Sequence, residues 1–219
     1  MKKVAVILCG SGFKDGSEIR ESVAVLWALS KAGADAQCFA LDEPQADVVN
    51  CLSGAVMQGE RRNQLVEAAR IARGKIRPMN ELRAASFDGL ILPGGFGAAK
   101  NLCDFAGKGG AGKVNPEVLR VLKDFHEAQK PIGAICIAPA ILAMAFPRAG
   151  FELTLGAKGE ASAEVEKLGH RHIEKKASEW HCDRKHRIFT SPAYMYDQAP
   201  LHEIFDGIFG LVRELCSSS

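Results

Sequence analysis

Short runs of consecutive apolar residues, each followed by a helix-length stretch that ends near glycine or proline, constrain this chain more than any other feature. Val4–Cys9, Ala36–Leu41, Gly89–Leu92 and Pro131–Ile135 are apolar along nearly their whole length. Runs of that kind are strands buried on both faces, as in a parallel sheet covered by helices. Between and after them, Ser22–Leu29 carries helical spacing and is followed by a stop at Gly33, and Leu65–Ala72, Pro116–Gln129 and Ile137–Phe146 are helical. Phe151–Leu155 and Arg187–Thr190 read as late strands, His202–Leu215 as a final helix and Ser217–Ser219 as a frayed end. The alternation predicts an α/β fold, a three-layer sandwich with a mainly parallel sheet. With 219 residues, no internal repeat and no linker rich in Pro, Gly or Ser, the expectation is one domain over residues 1–219.

Charge and composition exclude several classes of function. The 28 basic and 26 acidic residues leave a net charge of +2, which is no footprint for nucleic acid or an anionic membrane. No apolar run approaches the ~20 residues that cross a bilayer. Met1-Lys2-Lys3 runs straight into Val4–Leu8, too short an apolar core for a signal peptide. Seven cysteines, an odd number without framework spacing, predict reduced thiols and a cytoplasmic protein.

The chemistry concentrates in Pro131-Ile-Gly-Ala-Ile-Cys-Ile-Ala-Pro-Ala140. This stretch reads as a strand that turns abruptly into a helix with Cys136 on the turn, and Pro139 suits the first helical turn. Such a nucleophile elbow exposes the thiol at the end of a sheet, and helix N–H groups favour its thiolate. The competing reading is a buried cysteine at an ordinary strand-to-helix junction. Ligands bind beyond the carboxyl ends of such strands, so Cys9–Gly16, Pro93–Lys100 and Cys136-Ile137 should meet there. The N–H groups of Gly94, Gly95 and Ile137 would form an oxyanion hole, although Gly-Gly also makes a plain tight turn. Glu18 and Glu21, three residues apart on the first helix, share a face. Glu21 stands deeper, beside Val23, Ala24 and Val25, where desolvation would raise its pKa into the range of a proton carrier. The alternative is that both glutamates only favour the helix N-terminus.

The chain resembles the ThiJ/PfpI superfamily of amidotransferase-like α/β proteins, and within it the ElbB family. The resemblance is carried by Asp15-Gly-Ser-Glu-Ile-Arg-Glu21, Ala69–Ile76, Pro93-Gly-Gly-Phe-Gly-Ala-Ala-Lys-Asn-Leu102, Cys136-Ile-Ala-Pro139 and Ser191-Pro-Ala-Tyr194, in order along nearly the whole chain. It implies a flavodoxin-like sandwich, a homodimer, Cys136 as nucleophile and Glu21 as the glutamate that contacts the thiol. It also implies a glutathione-independent glyoxalase acting on glyoxal, an activity that reflects protein deglycation in the same family. Protease-like relatives carry a histidine directly after the elbow cysteine, where this chain has Ile137. Glutamine amidotransferases need a late histidine–acid pair. His202-Glu203 is adjacent on a predicted helix, so its side chains point about 100° apart. Neither peptidase nor glutamine hydrolase activity is expected.

The expected reaction therefore uses Cys136 and Glu21 alone on a small dicarbonyl or a glycated protein, with no cofactor and no metal. Two other classes remain: a redox sensor in which oxidation of Cys136 is the signal, and a binding protein of the same fold. Gly107-Lys-Gly-Gly-Ala-Gly-Lys-Val114 imitates a phosphate-binding loop, but Val114 replaces the magnesium-binding hydroxyl and no clear strand precedes it, so a flexible loop near the site mouth is expected. Gly10, Gly12, Gly16 and Asp42 sketch a weak dinucleotide fingerprint. His170, His172, His181, Cys182 and His186 match no closed zinc spacing and sit among Lys, Arg and Glu, which predicts surface histidines. His126 should lie at the end of the sheet away from Cys136, at the surface or in packing.

Overall fold

Each of the four fully apolar runs becomes a strand of one sheet. The computed structural model describes residues 1–218. It begins with β1 (Lys3–Leu8), α1 (Ile19–Lys31), β2 (Asp35–Ala40), α2 (Gln64–Ile71), β3 (Ile76–Pro78), β4 (Gly89–Leu92), α3 (Ala98–Asn101) and α4 (Phe105–Lys108). It continues with α5 (Pro116–Glu127), β5 (Ile132–Ile135), α6 (Ala138–Ala145), β6 (Glu152–Leu153), α7 (Glu160–Lys167), β7 (Arg171–His172), β8 (His181–Asp183), β9 (Ile188–Ser191) and α8 (Leu201–Ser217).

The main sheet has seven strands in the order β3-β2-β1-β4-β5-β9-β8. Every neighbouring pair is parallel except β8 on β9. Val4 to Leu8 and all of β4 and β5 are buried, which is why these strands read as apolar runs, and β9 is buried too with Thr190 and Ser191 in it. The chain runs outward from β1 to β3 and then crosses to β4 on the other side of β1. That reversal opens a crevice at the carboxyl ends of β1 and β4.

Helices cover both faces. On one, α1 packs along α8; on the other, α5 and α6 lie together with α3 and α7 beside them. α1 turns Ala24, Val25, Ala28 and Leu29 inward and starts at Glu18, whose carboxylate accepts the Glu21 N–H at 2.6 Å. α5 starts at Asn115, which caps the Glu117 N–H at 2.9 Å, and has Pro116 in its first turn. Among the described residues no helix is long and apolar enough to cross a membrane.

Three sequence expectations are corrected. Phe151–Leu155 does not join the main sheet: only Glu152–Leu153 is strand, paired with Arg171–His172 in a separate two-stranded sheet. Side chains occupy the donors that a main-sheet ladder would use. Glu152 N–H donates to the Asp183 carboxylate at 2.9 Å and Thr154 N–H to Thr190 Oγ1 at 3.0 Å. The histidines are not at the surface. His170 and His172 are buried and accept the N–H groups of Phe151 and Leu155, each at 3.2 Å. His181 bonds Glu152 and His186 bonds Asp183, at 2.9 and 2.7 Å, so this charged segment knits the small sheet to the large one. His126 packs on the rings of Phe146 and Phe151. Finally, Ser217 completes α8 and the Ser218 carbonyl accepts from the Lys2 ammonium at 2.6 Å; Ser219 lies outside the described residues.

Candidate active site

β5 ends at Ile135 and α6 begins at Ala138, so the chain reverses within Cys136 and Ile137. Cys136 takes φ +61°, a left-handed conformation that costs a residue with a side chain about 1–2 kcal/mol. The surroundings impose it: the Cys136 N–H donates to the Ser191 carbonyl of β9 at 2.9 Å, and Pro139 lies in the first turn of α6. The elbow read from the sequence is present, but the thiol is not exposed, since only 7% of Cys136 is accessible.

Glu21, in the first turn of α1, is fully buried and reaches the same point. Its Oε2 accepts the Gly94 N–H at 2.9 Å and its Oε1 the Tyr194 N–H at 3.1 Å. Gly94 is the hinge of this arrangement. A Cβ there would sit 2.4 Å from Cys136 Cβ, 2.7 Å from Glu21 Oε2 and 3.0 Å from Cys136 Sγ. Gly95 adopts φ +107° with the β1–α1 loop against its backbone, so it too is held to glycine.

Electrostatics set the protonation of the pair. Burial first, and then the Glu18 carboxylate, push Glu21 up to about 8, against the opposing pull of the Tyr194 and Gly94 N–H groups and the Cys136 thiol. Burial and then the Glu21 charge push the Cys136 thiol well above its ordinary value, although the Gly95 and Ile137 N–H groups favour the thiolate. Near neutrality the pair rests as thiol and carboxylic acid. The thiolate expected from the helix N-terminus does not form at rest, because desolvation outweighs two backbone donors. The donor set also changes. The Gly94 N–H is committed to Glu21, which leaves Gly95 and Ile137 as the N–H groups that act on the sulfur.

The crevice opens into a cavity of about 1,200 Å³. The three loops expected to meet do so there, through Gly12 and Phe13, Gly95 and Phe96, and Cys136 and Ile137. Glu18 lines it as a helix cap, so for this glutamate the capping reading holds; burial raises its pKa. Glu160, Ala161 and Glu164 of α7 and Tyr194 complete the wall, none of them expected there from the sequence. Tyr194 offers its N–H to Glu21 and its hydroxyl accepts from Arg20 Nη1 at 2.9 Å. The signal for Tyr194 was positional, since Ser191-Pro-Ala-Tyr194 follows a strand whose carboxyl end faces the crevice.

The motif look-alikes resolve into packing. Gly107–Gly112 lies at the cavity mouth as expected, through Gly107, Lys108 and Gly109, but it is not a free loop: it folds as the end of α4 and a single 3₁₀ turn, Gly109–Ala111, with Gly110 N–H bonded to Glu164 Oε2 at 2.9 Å. Gly12 and Gly16 close the β1–α1 loop on itself through Gly12 N–H to Ser17 O and Gly16 N–H to Gly12 O, and a glutamate occupies the helix start where a pyrophosphate would sit. Asp42 accepts from the Asn63 amide. Among the described residues, no group of three or more His, Cys, Asp or Glu is arranged to hold a metal ion, and no histidine lines the cavity.

Residues 2–194 match the DJ-1/PfpI family. The human glutamine amidotransferase-like class 1 domain-containing protein 3, mitochondrial, is 46% identical over 97% of this chain and 82% of its own length. The rat ES1 protein homolog, mitochondrial, is 45% identical with the same coverage. Among solved structures, the isoprenoid biosynthesis protein with amidotransferase-like domain from Ehrlichia chaffeensis superposes with a TM-score of 0.91 at 35% identity, covering 98% of each chain.

Proposed function

The chain belongs to the DJ-1/PfpI family, and from that membership and the Cys136–Glu21 pair we propose that it is a glutathione-independent glyoxalase converting glyoxal to glycolate. One observation carries this reading: a buried carboxyl, its pKa pushed up to about 8, and a buried thiol flank the same point of the Gly94 backbone at the floor of an open cavity. A carboxylate of that basicity is matched to moving protons near neutral pH. In the fraction with Glu21 ionised, the carboxylate takes the thiol proton as sulfur bonds to one aldehyde carbon. The new alkoxide oxygen, held by the Gly95 and Ile137 N–H groups, regains that proton as a hemithioacetal hydroxyl. Glu21 then removes the hydrogen from this carbon as a proton and delivers it to the neighbouring carbonyl carbon, while the hemithioacetal hydroxyl proton passes to that carbonyl's oxygen. The first carbon is oxidised to a thioester and the second reduced to an alcohol, with no external redox partner. Water cleaves the thioester, releasing glycolate and restoring the thiol. The scheme calls for no metal and no organic cofactor.

The site gives little support to glutamine hydrolysis, because the partner of the thiol is a glutamate and His202 lies on the exposed side of α8. The same chemistry extends to a glycated protein, whose adduct carbonyl would enter the open cavity. A second reading, a redox sensor, draws on one feature: protonated Glu21 and the Gly95 and Ile137 N–H groups are donors able to hold oxygens added to the sulfur. All seven cysteines are free thiols, which suits a reducing compartment. The cytoplasm meets that need, as does the mitochondrial setting named for the human and rat relatives. We also place the chain in a homodimer, supported by the exposed Val23 and Trp27 of α1 beside Phe205 and Phe209 of α8.

The test is glycolate formation from glyoxal without glutathione by wild type, Cys136→Ala and Glu21→Gln. Multiple turnovers are expected from wild type, none from Cys136→Ala, and a loss of about 10²–10⁴-fold in Glu21→Gln. Absence of turnover in wild type would refute the enzyme, and stoichiometric oxidation of Cys136 by peroxide would then favour the sensor.

A further inference from the structure

The cavity over Cys136 is far larger than glyoxal needs. Sites for whole small-molecule ligands measure about 300–1,000 Å³, and this one is about 1,200 Å³. One side of its rim is apolar and open to water, facing a charged side made by Arg20, Lys108, Glu160 and Asp197. Phe13, Ile19 and Phe96 line it and are 42, 46 and 53% exposed. Exposed apolar groups gathered around a concavity mark a place where an apolar ligand covers them. The rim is also built as one piece, since Phe96 N–H donates to the Phe13 carbonyl at 2.7 Å, clamping the loops after β4 and β1 together. The ammonium groups of Lys14 and Lys100 lie over the two rings, at 5.5 and 5.4 Å from their centroids, and Lys100 is itself anchored to Asp47 at 2.7 Å.

Resting on the glyoxalase reading, we propose that the preferred substrates are 2-oxoaldehydes bearing a bulky apolar substituent, with the aldehyde on Cys136 and the substituent against Phe13, Ile19 and Phe96. The atoms balance as for glyoxal. The thiol adds across the aldehyde, one hydrogen moves from the aldehyde carbon to the ketone carbon while the hydroxyl proton passes to the ketone oxygen, and water releases the 2-hydroxy acid and the free thiol. The substituent takes no part in bonding changes, so the rim acts on specificity and leaves the chemistry to Cys136 and Glu21.

The experiment compares kcat/KM of the full chain for glyoxal, methylglyoxal and phenylglyoxal, together with calorimetric binding of the products glycolate, lactate and mandelate, which needs no reaction. Both quantities are expected to rise along the series, with mandelate bound at least about tenfold more tightly than glycolate. Phe96→Ala should remove most of that difference and Phe96→Leu retain part of it. Turnover of glyoxal with no gain from the substituent, in rate or in product affinity, overturns the proposal and leaves the glyoxalase reading standing. No turnover of any of the three removes both. A change of oligomeric state in Phe96→Ala, with product affinities unaltered, also overturns it, because the rim would then be a protein interface.

Discussion

Glu21 and Cys136 face each other across the backbone of Gly94, and no side chain separates them. Gly94→Ala places a methyl group 2.4 Å from Cys136 Cβ and 2.7 Å from Glu21 Oε2, so the pair must separate. The expected result is a loss of more than about 10²-fold in kcat/KM together with a lowered melting temperature, read by glyoxal turnover and thermal denaturation. The pH profile is fixed by the same pair. Glu21 must be ionised to take the thiol proton, and burial holds its pKa at about 8. Below that value the ionised fraction rises about tenfold per pH unit, so kcat/KM for glyoxal should climb with pH and level off above about 8. A flat profile between pH 6 and 9 would remove Glu21 from the proton-transfer role. At this scale the sequence was informative about which residues come together. The depth of Glu21 followed from its apolar neighbours, but the protonation of Cys136 did not, because the local helix N-terminus argues for thiolate while desolvation, a tertiary property, argues more strongly for thiol.

Elements were legible where burial alone shaped them. β1, β4 and β5 are apolar because both faces are covered, and the sheet register brings Leu92 beside Ala134 and Ile135 beside Ser191 of β9, delivering the loops to one crevice. What escaped was short or polar: β3 of three residues, β7 of two, and α7, whose sequence Glu-Ala-Ser-Ala-Glu-Val-Glu-Lys buries only Ser162 and Val165. The histidine segment misled for a related reason, as buried histidines that accept main-chain N–H groups have the composition of a solvated surface. α8 offers a test of packing against propensity. Gly210 lies mid-helix, where alanine is intrinsically better by about 1 kcal/mol. A Cβ there would meet the Trp180 ring at 2.1 Å, and the Trp180 indole is fixed by Glu214 at 2.6 Å. Gly210→Ala should therefore destabilise, by about 1–3 kcal/mol in chemical denaturation.

For the whole molecule, the outer face formed by α1 and α8 is the main unpartnered apolar surface away from the site. Val23 and Trp27 of α1 are exposed, Phe205 and Phe209 of α8 stack beside Trp27, and Lys31 lies 4.9 Å from two of the ring centroids. Light scattering is expected to give a dimer for wild type, and Trp27→Glu a monomer that keeps its fold by circular dichroism. A wild-type monomer at micromolar concentration would end the dimer proposal. Position in the fold also decides what can vary. Both oxygens of Glu21 are held by main-chain N–H groups, at Gly94 and Tyr194, and the elbow N–H of Cys136 is held by a main-chain carbonyl at Ser191. The Cys136–Glu21 pair is thus addressed by peptide groups, which a side-chain substitution leaves in place unless it introduces proline. The aromatic rim, in contrast, is made of side chains. If the proposed glyoxalase activity holds, an engineer could randomise positions 13, 19 and 96 to re-aim it at new carbonyl compounds while the Cys136–Glu21 pair beneath stays in register.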